Sequence, residues 1–297
     1  MHDDDTGTAF SVPADGRKPS WLRVNVPGGN TFRNVSESLG RHGLHTVCDE
    51  AQCPNKAECW GCGTATFMVL GDICTRGCRF CAVATAVHGA PVRLEEPEEL
   101  AAAIQELGLR YAVITSVDRD DLPDRGAGHF AACVRSIRRV VPGVGVEVLV
   151  PDYRGDEMLV LAESGPDVIA HNVETVRRLQ TVRDARAGFD LSLGTLEEAK
   201  RHSSAMTKSS LMLGLGETEA EVLETMDELR GVGCDILVMG QYLRPTPKQV
   251  PVAEYITPSQ FGRYAEAARR KGFRSVVSSP LARTSYHALE GMEAAHQ

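Results

Sequence analysis

Beyond residue 90 the chain alternates between two hydrophobic spacings. Leu100, Ile104 and Leu107 recur at the helical interval and Gly108 stops the run, so 97–107 reads as a helix. The next stretch, 111–116, is continuously apolar and of strand length. The same reading gives helices at 129–140, 155–164, 196–203, 217–230 and 259–271. It gives strands at 146–150, 167–170, 210–215, 235–240 and 273–278. An earlier strand, 65–70, is rich in β-branched and aromatic residues and ends at Gly71-Asp72. Strands alternating with helices imply parallel βαβ units. About six units are too few for a full eight-stranded barrel, and no Gly-x-Gly-x-x-Gly follows any strand. The expected fold is therefore α/β, a partial (β/α)6 barrel of the TIM type. Residues 1–20 read as a loose tail.

In such a barrel the chemistry sits at the C-terminal ends of the strands. Those ends are polar here: Ser116-Val117-Asp118-Arg119-Asp120-Asp121, Pro151-Asp152, His171-Asn172-Val173-Glu174-Thr175, Gly214-Leu215-Gly216-Glu217 and Gln241-Tyr242-Leu243-Arg244. Any one alone reads as a solvated βα loop with a helix cap. Recurrence at successive strand ends points to a site instead. The 297 residues are 42% hydrophobic and 24% charged, which excludes disorder, collagen and coiled coil. A net charge of −8 argues against nucleic acid or a membrane surface as partner, because no excess of cations pulls on phosphates. No apolar run reaches the roughly 20 residues of a membrane span. Met1-His2-Asp3-Asp4-Asp5 is neither a secretory nor a transit start. The expected location is the cytoplasm, where nine cysteines suggest ligands or catalysts rather than disulfides.

Seven of those cysteines cluster. Cys48, Cys53 and Cys59 form C-x4-C-x5-C, Cys74, Cys78 and Cys81 form C-x3-C-x2-C, and Cys62 falls between. Cys133 and Cys234 stand apart and read as core residues. Structural zinc takes four ligands, usually as two C-x2-C knuckles. Only Cys59–Cys62 and Cys78–Cys81 have that spacing, and such a site leaves Cys48, Cys53 and Cys74 unexplained. Iron–sulfur clusters also bind thiolates and use uneven loops. A triplet on a four-iron cluster leaves one iron open to an outside ligand.

Cys74-Thr75-Arg76-Gly77-Cys78-Arg79-Phe80-Cys81 directly follows a strand and carries an aromatic before its last cysteine. It resembles the signature of radical S-adenosylmethionine enzymes. In that superfamily three thiolates hold three irons, the cofactor chelates the fourth, and reductive cleavage yields a 5′-deoxyadenosyl radical. The first triplet narrows the resemblance: Val47-Cys48-Asp49-Glu50-Ala51-Gln52-Cys53-Pro54-Asn55, then Glu58-Cys59-Trp60. With the polar strand ends above, it resembles the lipoyl synthase family over roughly residues 19–290. That family inserts two sulfur atoms, at carbons 6 and 8 of an octanoyl chain amide-linked to a lysine of a carrier protein.

The resemblance implies two four-iron, four-sulfur clusters and two S-adenosylmethionine molecules per product. Cys74, Cys78 and Cys81 would hold the radical-generating cluster. Cys48, Cys53 and Cys59 would hold an auxiliary cluster that donates the sulfur, with Ser285 of Arg283-Thr284-Ser285-Tyr286 as fourth ligand. Oxygen is a harder and weaker partner for iron than thiolate. Read without the family, Ser285 is a helix cap. No side chain beyond these cluster ligands is expected to be catalytic. Phe80, Ser116, Asp118, Asn172 and Glu174 are expected at the cofactor; Phe80 also reads as packing beneath the loop. Arg76 and Arg79 read equally as charge beside the cluster or as solvated residues. The expected division is 1–63 for the cysteine-rich N-terminal extension, 64–278 for the partial barrel, and 279–297 for a C-terminal tail closing over the site. The expected partners are octanoylated carriers (the glycine-cleavage H protein and lipoyl domains of 2-oxoacid dehydrogenases), a reductant such as flavodoxin or ferredoxin, and an iron–sulfur carrier protein. Thr284 replaces a usual serine, Ser279 a usual glycine and Asp49 a usual glutamate, Cys62 is extra, and 182–194 is a weaker match. A biotin-synthase-like enzyme would lack the first triplet, and an iron–sulfur sensor would carry a DNA-binding element, which is not visible.

Overall fold

The structure, a computed structural model, describes residues 9–11, 17–23, 30–46, 55, 59, 65–285 and 288–296. Cys48, Cys53 and Cys62 lie outside the described residues. The first part contains β1 (Ala9–Ser11), α1 (Asn30–Arg41), β2 (His45–Thr46) and β3 (Thr66–Val69). Two short strands, β4 (Ile73–Cys74) and β5 (Ala84–Thr85), pair with each other and bracket the second cysteine triplet. The chain then alternates: α2 (Glu96–Leu107), β6 (Tyr111–Ser116), α3 (Ala127–Val140), β7 (Gly145–Leu149), α4 (Asp156–Glu163), β8 (Val168–Ala170). It continues through α5 (Phe189–His202), β9 (Met206–Leu213), α6 (Glu219–Gly231), β10 (Ile236–Gln241), β11 (Glu254–Ile256), α7 (Pro258–Arg270), β12 (Ser275–Ser278) and α8 (Ala288–His296).

One eight-stranded sheet runs in the order β12-β10-β9-β8-β7-β6-β3-β2. All neighbours are parallel except β2, which caps the β3 edge antiparallel. Six strand–helix units are thus followed by a last parallel strand, as a partial (β/α)6 barrel requires. Local chemistry explains the helix ends. The first turn of α2 holds Pro97 with Glu96, Glu98 and Glu99 at its positive dipole end, and Gly108 ends it in the left-handed region. Thr218 and Glu221 form a reciprocal capping box on α6.

Three readings from sequence change. Residues 9–11 are not loose tail: β1 pairs antiparallel with β11. Helix α5 begins at Phe189 rather than 196, because Ser192 and Gly194 in its first half hide the apolar period. Strand β9 begins at Met206 rather than 210. Its early residues Thr207, Lys208 and Ser209 are polar yet buried, so hydrophobicity could not reveal them. The C-terminal segment also splits. Residues 280–285 cross the C-terminal rim of the barrel, and α8 packs its Ala288, Met292 and Ala295 against Tyr111, Val113, Val168, Met206 and Ile236.

Candidate active site

The second triplet lies on the loop between β4 and β5. Backbone N–H groups point at two of its sulfurs: Arg76 N–H to Cys74 Sγ at 3.4 Å and Asp184 N–H to Cys78 Sγ at 3.3 Å. Burial pushes the Cys74 thiol up to about 11 and the Cys78 thiol up to about 12, and it raises Cys81 as well. Thiols held this way become thiolates only when metal charge replaces the lost hydration. Among the described residues no trio of His, Cys, Asp or Glu closes around one ion. A single tetrahedral zinc would draw thiolates in at about 2.3 Å each. Three half-buried thiols with amide donors on one loop fit a cluster.

Arg76 anchors this loop and Arg79 does not. Arg76 is buried; its Nε and Nη2 donate to the two oxygens of Asp120 at 2.9 Å. Its Nη1 donates to Asp152 and lies 3.4 Å from Asp118 Oδ1. Burial opposes the Arg76 charge, but these carboxylates outweigh it and hold the guanidinium firmly protonated. The side chain of Arg79 is exposed. The stretch read as a weak match supplies a second brace. Asp184 accepts from Gly77 N–H at 2.8 Å, Val182 O from Arg79 N–H at 2.7 Å, and Arg186 donates to Thr75 O at 2.5 Å.

Above the loop lies a cavity of about 270 Å³. Cys74, Cys78, Cys81, Phe80, Ser116, Asp118, Asn172 and Glu174 all line it. The Ser116 hydroxyl is buried without a hydrogen-bond partner. Desolvation raises the Asp118 carboxyl against the opposing charge of Arg76. An orphan hydroxyl and a desolvated carboxylate beside three thiols suit a ligand with an ammonium group and a polar chain. Glu174 is in the left-handed region at φ 66°, a conformation such a site can retain. Burial raises its carboxyl, with Arg183 and Asn172 opposing.

A second cavity, about 360 Å³, shares Phe80, Cys81, Thr115, Leu149, Asn172 and Glu174 with the first. It reaches from Val113 and Ser210 inside the barrel to Arg283, Thr284 and Ser285 at the rim. The rim segment is tied down at several points. Gln241 N–H donates to Pro280 O at 3.2 Å, and Asn172 Nδ2 to Thr284 Oγ1 at 3.2 Å. A Cβ at Gly240 would sit 2.0 Å from Ala282 O, so only glycine admits the segment there. Asn55, between Cys53 and Cys59 in sequence, is buried and donates to Leu281 O at 2.6 Å. Cys59 N–H in turn donates to Asn55 O at 2.9 Å. Cys59 and the Ser285 segment are therefore joined through Asn55.

Sequence reasoning missed the buried chain running from Arg76 through Asp152 and His171 to Ser192 and Arg183. His171 Nε2 lies 3.2 Å from Asp152 Oδ1 and 2.9 Å from Ser192 Oγ, and Arg183 Nη1 donates to that oxygen at 2.9 Å. His171 and Asp152 carried a signal as strand-end residues; Ser192 and Arg183 did not.

A loop of three thiols at the C-terminal end of the first barrel strand, facing a cofactor-sized cavity with a few placed polar groups, defines a radical S-adenosylmethionine enzyme. The chain matches the Radical SAM superfamily over residues 68–229. Two solved structures share the fold: methylornithine synthase (TM-score 0.58, 12% identity, 91% of this chain and 76% of that one) and the FeFe-hydrogenase maturase from Carboxydothermus hydrogenoformans (0.59, 17%, 77% and 56%). Residues 11–53 match the N-terminal domain of lipoyl synthase of the Radical SAM family. The lipoyl synthase of Anaeromyxobacter dehalogenans is 56% identical over 93% of this chain and 95% of its own. That of Thermus thermophilus is 52% identical over 93% and 87%, and the chloroplastic lipoyl synthase of Arabidopsis thaliana 53% over 92% and 72%. The chain belongs to the lipoyl synthase family, and its function is that of the family. No helix among the described residues is long and apolar enough to cross a membrane.

Proposed function

We propose that this chain inserts sulfur at carbons 6 and 8 of an octanoyl-lysine, using two clusters held by its two cysteine triplets. The observation that carries the reading is the wall shared by the two cavities, with the Cys74–Cys81 loop on one side and Ser285 on the other. Cys74, Cys78 and Cys81 would hold one four-iron cluster, and Cys48, Cys53, Cys59 and Ser285 the other. With both bound, the site supplies electrons for radical formation from S-adenosylmethionine and sulfur for insertion.

The chain's own residues do the rest. Ser116 and Asp118 receive the amino end of the cofactor, whose positive charge would oppose the desolvation that raises the Asp118 carboxyl. Phe80 meets the adenine, and Asn172 and Glu174 orient the ribose or the acyl chain where the cavities meet. Val113, Leu149 and Met212 give the second cavity an apolar interior that accepts the acyl chain and excludes water. As an oxygen ligand, Ser285 would hold iron more weakly than a thiolate. We read 1–63, 64–278 and 279–297 as the extension, barrel and closing segment of this machine. It would work in the cytoplasm on an octanoylated H protein or lipoyl domain, with flavodoxin or ferredoxin as reductant and an iron–sulfur carrier renewing the spent cluster.

Iron and acid-labile sulfide per chain after anaerobic reconstitution test this. About eight irons are expected for the parent and about four for a Cys48/Cys53/Cys59→Ala variant. About four in both would remove the auxiliary cluster and the sulfur-donor reading with it.

A further inference from the structure

The second cavity has a charge asymmetry that the chemistry inside it does not use. Its lining carries the cations Lys18, Arg244 and Arg283 against a single carboxylate, Glu174, which is half-buried at the shared wall. Lys18 and Arg244 are exposed, and so is Lys248, farther along the loop that Arg244 begins. Arg244 spends its donors on backbone oxygens, Gln249 O at 2.8 Å and Pro247 O, which leaves its charge uncompensated. Arg79, also exposed, is brought to the same loop by its carbonyl, which accepts from Val250 N–H at 3.0 Å. Among the described residues none of these four exposed cations makes an ion pair. Some exposed cations elsewhere are paired, Arg139 with Glu98, Arg177 with Asp190 and Glu228, and Arg178 with Glu221, whereas Arg135 and Arg269 on the outer helices, like the rim cations, make no ion pair among the described residues. A chain of net charge −8 thus leaves uncompensated positive charge at the mouth of its acyl cavity.

We propose that this rim (Lys18, Arg79, Arg244, Lys248) is the docking surface for an acidic face on the carrier protein, flanking its acylated lysine. The proposal rests on the acyl-lysine reading above. An acylated lysine is a neutral amide, so the acyl chain itself gives the cations nothing to bind. The group that brings it must present carboxylates beside it. Exposed rim charges act mainly on encounter rate and register, and salt screens them over about 8 Å at physiological ionic strength.

The test uses the reconstituted holoprotein and two probes: an octanoylated H protein, and a short neutral peptide carrying octanoyl-lysine. Association of the H protein should slow roughly tenfold or more between about 0.05 and 0.5 M salt. It should slow comparably with a K18E/K248E variant, and with an H protein whose carboxylates flanking the modified lysine are changed to amides. Peptide binding to the parent should ignore salt. Peptide converted normally while H-protein association ignores salt and both sets of changes would overturn the docking surface alone. Failure to convert either probe would overturn the acyl-lysine reading and the proposal together. An RNA oligonucleotide bound as tightly as the H protein would make the rim a phosphate-binding surface and also overturn it.

Discussion

At the scale of single residues, Thr284 shows how a departure from the family pattern acquires a role. Its hydroxyl meets the Asn172 side chain, 3.2 Å from Nδ2 and 3.4 Å from Oδ1. Asn172 sits at the wall of both cavities, so this pair registers the rim segment against the site. A net hydrogen bond contributes about 1 kcal/mol. Thr284→Val should therefore speed amide exchange of residues 281–285 by about fivefold, while Thr284→Ser leaves it unchanged. Equal protection in both variants would show that Asn172 does not hold the segment. The Cys74–Cys81 thiol loop was legible because spacing within one loop is written in the sequence. The Asn172 partner was not, because 112 positions separate the pair. Arg76 lay between these cases: its charge was visible, but the convergence of Asp118, Asp120 and Asp152 on it needed two strands to end side by side.

At the scale of elements, the entry to the cysteine loop is clamped where β3 ends. Leu70 is in the left-handed region at φ 68°. Its N–H donates to Glu96 at the start of α2, at 2.9 Å, and its carbonyl accepts from Arg119 just past β6, at 3.0 Å. Arg119 in turn grips Asp121 with Nε and Nη2 at 2.8 and 3.0 Å, and Asp121 accepts from Gly89 N–H at 3.1 Å. The Arg119 hydrogen bonds and the Gly89 amide hold the Asp121 carboxyl down at about 2. A carboxyl lowered on folding contributes stability that is fully present above its ordinary value and lost as pH falls through its folded one. Melting temperatures of the parent and Asp121→Asn should thus differ most above about pH 4 and converge toward about pH 2. A constant difference across that range would deny the pair its role. Element positions were mostly legible because apolar periodicity survives wherever helices face a sheet. The starts of α5 and β9 were not, because their buried residues are polar and find partners across the barrel.

At the scale of the whole molecule, the cavities rest on a charged layer. Lys208 Nζ lies 2.9 Å from both oxygens of Glu147, and Tyr111 donates to Glu147 at 2.9 Å. All three are buried and belong to β9, β7 and β6. Lys208→Met alone leaves Glu147 uncompensated and should cost about 3–5 kcal/mol in urea unfolding of the apoprotein. Adding Glu147→Leu and Tyr111→Phe should recover most of that loss. A triple variant as unstable as the single one would mean that the layer does more than balance its own charges. The sequence by itself determined the alternation of strands and helices, the thiol loop and its superfamily, and the first triplet that separates this family from its neighbours. These are short-range properties: period, propensity and ligand spacing act within a few residues. Only the tertiary structure decided that Arg76 is anchored and Arg79 is not, that Asn55 joins Cys59 to the Ser285 segment, and that two cavities share a wall. Those depend on which strand ends lie side by side, and that is set by the order of strands in the sheet, which no local pattern encodes.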